Sequence, residues 1–317
     1  MYLLNNAKKY IFFLSILILC SKFLLSQPKN SKPLKNPVKA MFFQRYFHLS
    51  NIGYSLNFLL TNKIFKSYKN FNPSSDKKGW QLTFSDNFDS INTQKWRLGQ
   101  PWGYFHENSL HEYYSVSQVK AENGFLNLSA SKNPKTFKVK DSSIVIPYAV
   151  GLINSDISFS QKYGYFEIRC KNPKGPATWA SFWLTGATRW PPEIDIFEMF
   201  GKRGKGSVHR QISSIHYGVV STKSRGTLIR KTKLTTDTDT LFHVYGCKWT
   251  LHNITFYTDG VKVKKQRINK RLRKYMDDQM VIIISNGLQA EYLKYLPTNF
   301  SKNEFIIDWV RVYKKID

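Results

Sequence analysis

The sequence predicts an all-β protein, a sandwich or a barrel, on three observations. From Gly79 onward, short runs rich in Val, Ile, Tyr, Phe and Trp recur, such as "GYFEIRCK", "EIDIFEMF" and "HVYGCKWT". Gly, Asn, Asp and Pro separate these runs, as they do between short strands. Long stretches with helical periodicity are nearly absent, so many short strands joined by turns are favoured. Asp259-Gly260, between alternating runs in "FYTDGVKV", predicts a two-residue hairpin.

The first 26 residues have the pattern of a secretory signal peptide. Two lysines precede an apolar run from Tyr10 to Cys20 that is too short to span a bilayer comfortably. We expect cleavage near Ser26 and a secreted, extracellular protein, with the periplasm or the cell surface as the other destinations. Leu17 to Cys20 faintly resembles a lipobox, so contact with a membrane is expected only if Cys20 is acylated.

Residues 27–77 form a segment of unknown role. A linker rich in Pro, Lys and Asn comes first, and a basic, aromatic stretch without a sustained period follows. This segment is either a pro-region or an extension of the main domain. We therefore expect the catalytic domain to span residues 78–317.

The charge balance is strongly basic, with 48 Lys+Arg against 21 Asp+Glu and a net charge of +27. Such a charge is typical of a protein with a polyanionic partner, although a Lys-rich proteome explains it equally well. The export signal argues against nucleic acid, and the chain has no recognised nucleic-acid-binding module. We expect a polysaccharide partner, anionic or neutral, and a monomer.

The cysteines are too few for a disulfide scaffold, because only three are present. Cys20 would leave with the signal peptide. Cys170 and Cys247 lie in strand-like runs, where buried free thiols are more common than a disulfide, although the two could pair. Their spacing does not suggest a zinc site.

Three carboxylates lie within six residues in "EIDIFE", residues 193–198. Alternate residues of a strand share a face, so Glu193 and Asp195 point the same way. Strict alternation would bury Glu198, but one extra residue in a β-bulge at Ile196–Phe197 restores the parity. All three acids then lie on one face, with either Ile196 or Phe197 in the core.

Paired carboxylates at a cleft are the groups that cleave a glycosidic bond. One attacks the anomeric carbon while the other, protonated, donates to the leaving oxygen. A third acid between them can separate the pKa values of the pair. The alternative is a solvated acidic strand face. Because the chain has few acids, the clustering of Glu193, Asp195 and Glu198 favours the catalytic interpretation.

The alternation in two other runs extends the predicted cleft. In "YGYFEIRCK", the apolar residues Phe166, Ile168 and Cys170 share a face, which places Glu167 and Arg169 on the other face, toward the groove. In "TWASFWL", Trp179 and Trp183 share one face. Indole rings on a cleft are suited to stacking on the apolar face of a sugar ring.

The acid motif closely resembles the bulged ExDxxE signature of glycoside hydrolase family 16. Further segments resemble the family in the same order: "LTFSDNFD", "NGFLNLSASK", "KYGYFEIRCKNP", "ASFWLTG", "FHVYGCKWTLHNITFYTDGVKV" and "IIDWVRVYK". The resemblance covers residues 78 to 316. It implies a β-jelly roll of two stacked antiparallel sheets with a substrate groove on the concave sheet. It also implies a retaining mechanism with Glu193 as nucleophile, Glu198 as general acid/base and Asp195 as the assisting acid.

The resemblance also implies a set of substrate-binding residues. Trp183 is in register with cleft aromatics of the family, and Trp190 precedes the acid strand as a subsite tryptophan does in laminarinases. Similar family members hold sugar hydroxyls at the positions of Glu167 and Arg169, and further groove positions match His216 and Asn286. No organic cofactor is implied. A structural calcium ion on the convex side, held in part by Asp308, is left open.

Two departures from the family pattern affect the subsites but not the acids. Pro192 stands where laminarinases usually carry a Gly before the first catalytic Glu. The family pattern "ELQYY" is replaced by "LHEYY" at residues 110–114. The subsite that this segment contributes is therefore expected to differ from that of the family.

We expect a secreted, endo-acting, retaining β-glycanase. The Trp190-Pro-Pro pattern resembles β-1,3-glucanases, whereas the charge favours a sulfated galactan of the porphyran, agar or carrageenan type. Three stretches carry much of the charge, at residues 201–210, 223–233 and 262–274, and Arg203 or Arg210 could pair with a sulfate. A β-1,3-glucan is the first expectation. A non-catalytic carbohydrate-recognition protein and a transglycosylase are the alternatives.

Overall fold

The computed structural model describes residues 79–106, 109–201, 210–219, 226–234 and 238–316. The predictions on the signal peptide, on Cys20, on residues 27–77 and on Arg203 lie outside the described residues. Within the described part, no helix has the length and apolar character to cross a membrane.

Strands dominate the described chain, as predicted. They are β1 (Trp80–Asp86), β2 (Arg97–Leu98), β3 (Glu112–Tyr114), β4 (Val119–Glu122), β5 (Phe125–Val139), β6 (Ser142–Asn154), β7 (Gly164–Lys171), β8 (Thr178–Gly186), β9 (Glu193–Phe200), β10 (Arg210–Tyr217), β11 (Gly226–Lys233), β12 (His243–Trp249), β13 (Asn253–Thr258), β14 (Val261–Arg267), β15 (Met280–Leu288) and β16 (Lys302–Lys315). One short α-helix, α1 (Lys270–Tyr275), and two 3₁₀ helices, Val116–Gln118 and Ala290–Tyr295, accompany them.

The predicted hairpin joins β13 to β14. Thr258 pairs with Val261, so Asp259 and Gly260 are the two loop residues. Both have positive φ, 49° and 77°. A type I′ turn, which matches the twist of antiparallel strands, requires positive φ at both loop residues. Asp-Gly adopts this conformation at low cost.

The strands form two layers that share strand β6. The order β11-β10-β9-β8-β15 continues into the end of β6 and forms the front sheet. The back sheet has the order β5-β16-β7-β12-β13-β14, with β1 on β16. In β6, the residues up to Val150 pair with β5, and Gly151 to Asn154 pair with β15. A Cβ on Gly151 would lie 2.5 Å from the carbonyl oxygen of Gln118, so this position between the layers requires glycine.

The core lies between the two sheets. The ring of Phe197 in β9 packs on that of Tyr245 in β12, with centroids 4.6 Å apart. Phe166, Ile168 and Cys170 in β7 are fully buried in the same cluster. Each fully buried apolar side chain of this size contributes about 1.5–3 kcal/mol to stability. The sandwich prediction is confirmed, as is the prediction that Cys170 and Cys247 are buried free thiols.

Candidate active site

Strand β9 carries a bulge that turns all three acids toward one side of the front sheet. Asp195 pairs with Trp183 and Phe197 pairs with Phe182, so Ile196 is the extra residue. The carbonyl oxygen of Ile196 accepts hydrogen bonds from two side chains of β10, Gln211 (3.1 Å) and Ser213 (2.8 Å). The predicted bulge is confirmed. Sequence reasoning placed only one of Ile196 and Phe197 in the core, but both are fully buried.

A groove of about 280 Å³ lies over the acid face of the front sheet. Its floor comes from alternate residues of β8, β9 and β15, and a wall comes from the segment between β2 and β3. The lining residues are Gln100, Trp102, Phe105, His106, Ser109, Glu112, Tyr114, Val150, Gly151, Leu152, Trp179, Ser181, Trp183, Glu193, Asp195, Glu198, Ser285, Asn286 and Gly287. The structure therefore brings the three predicted acids together with two of the predicted tryptophans.

Each of the two glutamates accepts a hydrogen bond from an indole N–H. Trp179 Nε1 donates to Glu198 Oε1 at 3.1 Å. Trp190 Nε1 donates to Glu193 Oε2 at 2.6 Å, and the Trp190 side chain is 40% exposed. Such a bond fixes the orientation of a carboxylate and favours its charged form. Trp183 stands over the floor and donates to Ser285 Oγ at 3.3 Å.

His216, on the neighbouring strand β10, completes the acid cluster. Its Nε2 lies 3.1 Å from Asp195 Oδ2 and 3.5 Å from Glu193 Oε1. Its Nδ1 lies 2.9 Å from Thr227 Oγ1 in β11. One ligand atom from each of Glu193, Asp195 and His216 lies within 4.8 Å of the others, which is close enough to hold one metal ion. A hydrogen bond between the imidazole and Asp195 accounts for the same contact without a metal.

Burial raises the pKa of all three acids, because their charged forms are poorly solvated in the groove floor. Repulsion from Asp195 adds to the rise at Glu193, while His216 and the Trp190 hydrogen bond oppose it. At Asp195, burial and then repulsion from Glu198 hold the pKa well above its usual range. A side-chain hydrogen bond with Glu193 opposes this rise at Asp195.

Glu112 is a groove carboxylate that sequence reasoning missed. Strand β3 pairs in parallel with β6, and Glu112 Oε2 accepts a hydrogen bond from the Leu288 N–H at 2.7 Å. Burial raises the pKa of Glu112 to about 7, and the Leu288 bond partly opposes this. The signal was the "LHEYY" departure, whose Glu stands among apolar and aromatic residues. Trp102, in the same wall, is 56% exposed and was also missed.

The prediction that Glu167 and Arg169 face the groove is wrong. Their strand, β7, lies in the back sheet between β16 and β12, so its polar side points away from the front sheet. Glu167 is buried there, and Arg169 forms an ion pair with Asp308. Alternation showed which residues of β7 share a face, but it did not show to which layer the strand belongs. The calcium ion at Asp308 stays a prediction.

The prediction that the Asn286 side chain contacts substrate in the groove is also wrong. The Asn286 amide donates to the Leu128 carbonyl oxygen (2.8 Å) and to Asn303 Oδ1 (2.9 Å), both in the back sheet. The side chain therefore points into the sandwich, and the neighbouring Ser285 faces the groove. Arg210, at the start of β10, is exposed and is not among the lining residues of the groove.

Clustered acids and indole rings in a groove on a β-sandwich are the architecture of carbohydrate-active proteins. The family model described as "Beta-porphyranase A-D, GH16 domain" matches residues 80–315. The chain belongs to glycoside hydrolase family 16.

Relatives from several organisms support this assignment. The chain is 28% identical to the endo-1,3-1,4-beta-glycanase ExsH of Rhizobium meliloti over 238 residues, covering 69% of this chain and 49% of that protein. It is 27% identical to a beta-glucanase of Rhodothermus marinus over 288 residues, covering 82% and 94%. The structure of LamAcat from Zobellia galactanivorans has the same fold, with a TM-score of 0.62, 24% identity and coverage of 74% and 98%. The chain spans about half of ExsH and about 30% of two further curated relatives.

Proposed function

We propose that this chain is an endo-acting β-glycanase that hydrolyses a polysaccharide with retention of anomeric configuration. The observation that supports this most is the bulged strand, which presents Glu193, Asp195 and Glu198 together on the floor of a groove. The relatives named as endo-glycanases support the same activity.

Glu193 is the proposed nucleophile and Glu198 the proposed general acid/base. In the first step, Glu193 attacks the anomeric carbon, the glycosidic bond breaks, and Glu198 gives its proton to the leaving oxygen. In the second step, Glu198 takes a proton from water, which displaces Glu193 from the sugar. Asp195, the proposed assisting acid, lies on the same face between the two glutamates and is hydrogen-bonded to Glu193. His216 acts through Asp195 and is a positioning residue.

A neutral β-glucan, of the β-1,3 type, is the proposed substrate. Within the described lining, the groove has four carboxylates and no lysine or arginine, so it offers sulfate no cationic partner there. The hydroxyls of a neutral sugar can hydrogen-bond to such carboxylates, and the indole rings can stack on its apolar face. The second candidate is a sulfated galactan, because the matching family model is of the porphyranase type.

The test is a reducing-end assay on laminarin, mixed-linkage β-glucan, agarose, porphyran and carrageenan, with Glu193→Gln as the inactive control. We expect shorter oligosaccharides from laminarin, and an NMR time course whose first product is the β-anomer. A first product with the α-configuration would overturn the two-step mechanism. If porphyran alone were cleaved, the proposed β-1,3-glucan substrate would be wrong and a sulfated galactan would take its place. Binding of the polymers without any cleavage would indicate a carbohydrate-recognition protein. Products longer than the starting oligosaccharides would indicate a transglycosylase.

Export is a separate proposal, supported by the N-terminal pattern alone. Its test is the N-terminal sequence of the protein recovered outside the cytoplasm, where we expect the chain to begin close to residue 27.

A further inference from the structure

The outer face of the back sheet carries a concentration of cations that the proposed reaction does not use. Lys265 in β14 pairs with Thr255, Thr255 pairs with Lys248 in β12, and Lys248 pairs with Tyr165 in β7. Residues directly opposite on neighbouring strands share a face. Because Phe166 is in the core, this row points outward. Lys315 lies on the same face, opposite Trp80.

Lys248, Lys265 and Lys315, here called the lysine row, act on one another electrostatically. Lys248 and Lys265 are two strands apart, which is about 10 Å. Burial lowers the pKa of Lys248, and repulsion from Lys315 and from Lys265 lowers it further. Like charges held at this separation generate a positive potential that a bound anion would relieve.

Aromatic rings hold the cations of this face in place. The Lys248 ammonium lies 5.4 Å from the centroid of the Trp80 ring, and the Arg311 guanidinium lies 4.2 Å from that of Trp309. Arg169 lies over Phe242 at 4.7 Å. A cation ordered against a ring has less conformational entropy left to lose when a ligand binds.

The acids of the neighbouring strands do not neutralise the lysine row. Both acids of β16 are already in ion pairs, Glu304 with Lys302 and Asp308 with Arg169. Glu167, the acid of β7, is buried, and its pKa is raised to about 7 mainly by that burial. At neutral pH a substantial fraction of Glu167 is therefore uncharged.

We propose that the outer face of the back sheet binds a sulfated polysaccharide at a site separate from the groove. A sulfate ester keeps its charge at every physiological pH, and successive sulfates along an extended chain can meet successive cations of the lysine row. Nucleic acid fits less well, because cations already cover the Trp80 and Trp309 rings on which bases would stack. A membrane fits less well because Leu82 is the one large apolar side chain on the described strands of this face that is strongly exposed.

The test uses the full chain with Glu193→Gln, so that no polymer is cut. Mobility is measured in native gels that contain porphyran or chemically desulfated porphyran, with excess laminari-oligosaccharides to occupy the groove. The variant Lys265→Gln/Lys315→Gln removes two exposed charges of the row. Lys138→Gln/Lys140→Gln, two exposed lysines at the hairpin between β5 and β6, is the matched control.

We expect retardation by porphyran but not by the desulfated polymer. The row variant should bind about fivefold more weakly, since each exposed charge contact is worth about 0.5 kcal/mol, and the control should bind as the parent does. Equal binding by the row variant and the control would overturn the proposal. Tighter binding to duplex DNA or to phosphatidylserine vesicles than to porphyran would also overturn it. With Glu193 restored, the row variant should hydrolyse laminarin normally, so failure of this inference is distinguishable from failure of the proposed glycanase activity.

Discussion

At the scale of single residues, the groove floor stabilises a carboxylate cluster that burial alone would make costly. Taking a carboxylate out of water costs several kcal/mol unless hydrogen bonds or protonation compensate. Trp190 and Trp179 each donate an N–H to one glutamate, and His216 contacts Asp195. These contacts therefore offset part of the cost of burying three acids in one groove floor.

Replacing either glutamate with glutamine should remove nearly all activity. Glu193→Gln and Glu198→Gln each take away a reacting group, so we expect losses of about 10³-fold or more in kcat, equal to at least about 4 kcal/mol of transition-state stabilisation. Asp195→Asn should be impaired less severely. Thermal melts serve as the control and should show Tm values no lower than that of the parent, because each glutamine has the size of the glutamate and brings no charge into the groove floor. Turnover close to the parent's in either glutamine variant would refute the assigned roles.

Glu112→Gln should remove a pH dependence of stability. The folded-state pKa of Glu112, about 7, lies above its ordinary value of 4.5 in the unfolded chain. The protonated form is thus favoured by folding, and this contribution is complete below about pH 4.5 and is lost as the pH rises through about 7. Glutamine stays neutral at every pH and keeps an oxygen for the Leu288 N–H.

The expected size follows from the pKa difference. At pH 8 the free energy of unfolding of the Glu112→Gln variant should exceed that of the parent by about 3 kcal/mol, at about 1.4 kcal/mol per pKa unit. At pH 4 the two free energies should be equal. Urea denaturation at both pH values measures it, with the exposed Glu291→Gln as control. A difference that is constant from pH 4 to pH 8 would contradict the charge assignment.

At the scale of elements, the bulge at Ile196 decides how far apart the two glutamates lie. Asp195 and Phe197 pair with consecutive residues of β8, so removing Ile196 would leave every other pairing of β9 with β8 in register. Removing Ile196 would lose its buried side chain and the two hydrogen bonds that its carbonyl oxygen accepts. The bulge is therefore a geometric adjustment that the sheet itself does not require.

Deletion of Ile196 should separate folding from catalysis. We expect a cooperatively folded protein that is destabilised by about 2–5 kcal/mol and loses about 10²-fold or more in kcat, because Glu198 shifts relative to Glu193. Ile196→Ala is the matched control, since it loses the same side chain but keeps the bulge. Its kcat should stay within about tenfold of the parent's under the same principle of positioning. If both variants lost activity equally, the bulge would have no role in placing the acids.

Much of the structure at this scale is predictable from the sequence, and the assignments that were wrong have physical causes. The strands, the hairpin at Asp259 and the bulge follow from local alternation and turn chemistry. The sheet to which β7 belongs does not follow from local patterns. A strand with one apolar face has the same alternation in either sheet of a sandwich. Glu167 and Arg169 were therefore assigned to the wrong side. The groove wall at Glu112 depends on a parallel pairing with β6 that no local pattern indicates.

At the scale of the whole molecule, the described structure separates its charges. The groove side presents carboxylates, and the outer face of the back sheet presents the lysine row. The whole chain has 48 basic and 21 acidic residues, a net charge of +27. This net charge therefore does not predict the charge that a substrate meets in the groove.

This separation predicts opposite responses to salt. Hydrolysis of laminarin should change by less than about twofold between 0.1 and 1 M NaCl, although the screening length falls from about 10 to about 3 Å. Retardation by porphyran should weaken strongly over the same range. The measurements are initial rates of reducing-end release and gel mobility. Laminarin hydrolysis that falls steeply with salt would show that cations do act in the groove.

The position of β16 has a consequence for how the molecule is made. This strand pairs with β5 and β7 and also with β1, which precedes it by more than 200 residues. During synthesis, β1, β5 and β7 leave the ribosome long before the strand on which all three assemble. Domains tend to fold as units while the chain grows, but here the back sheet cannot close until β16 has emerged. Assembly of the back sheet therefore waits for β16, and the strands made before it expose unpaired edges until then.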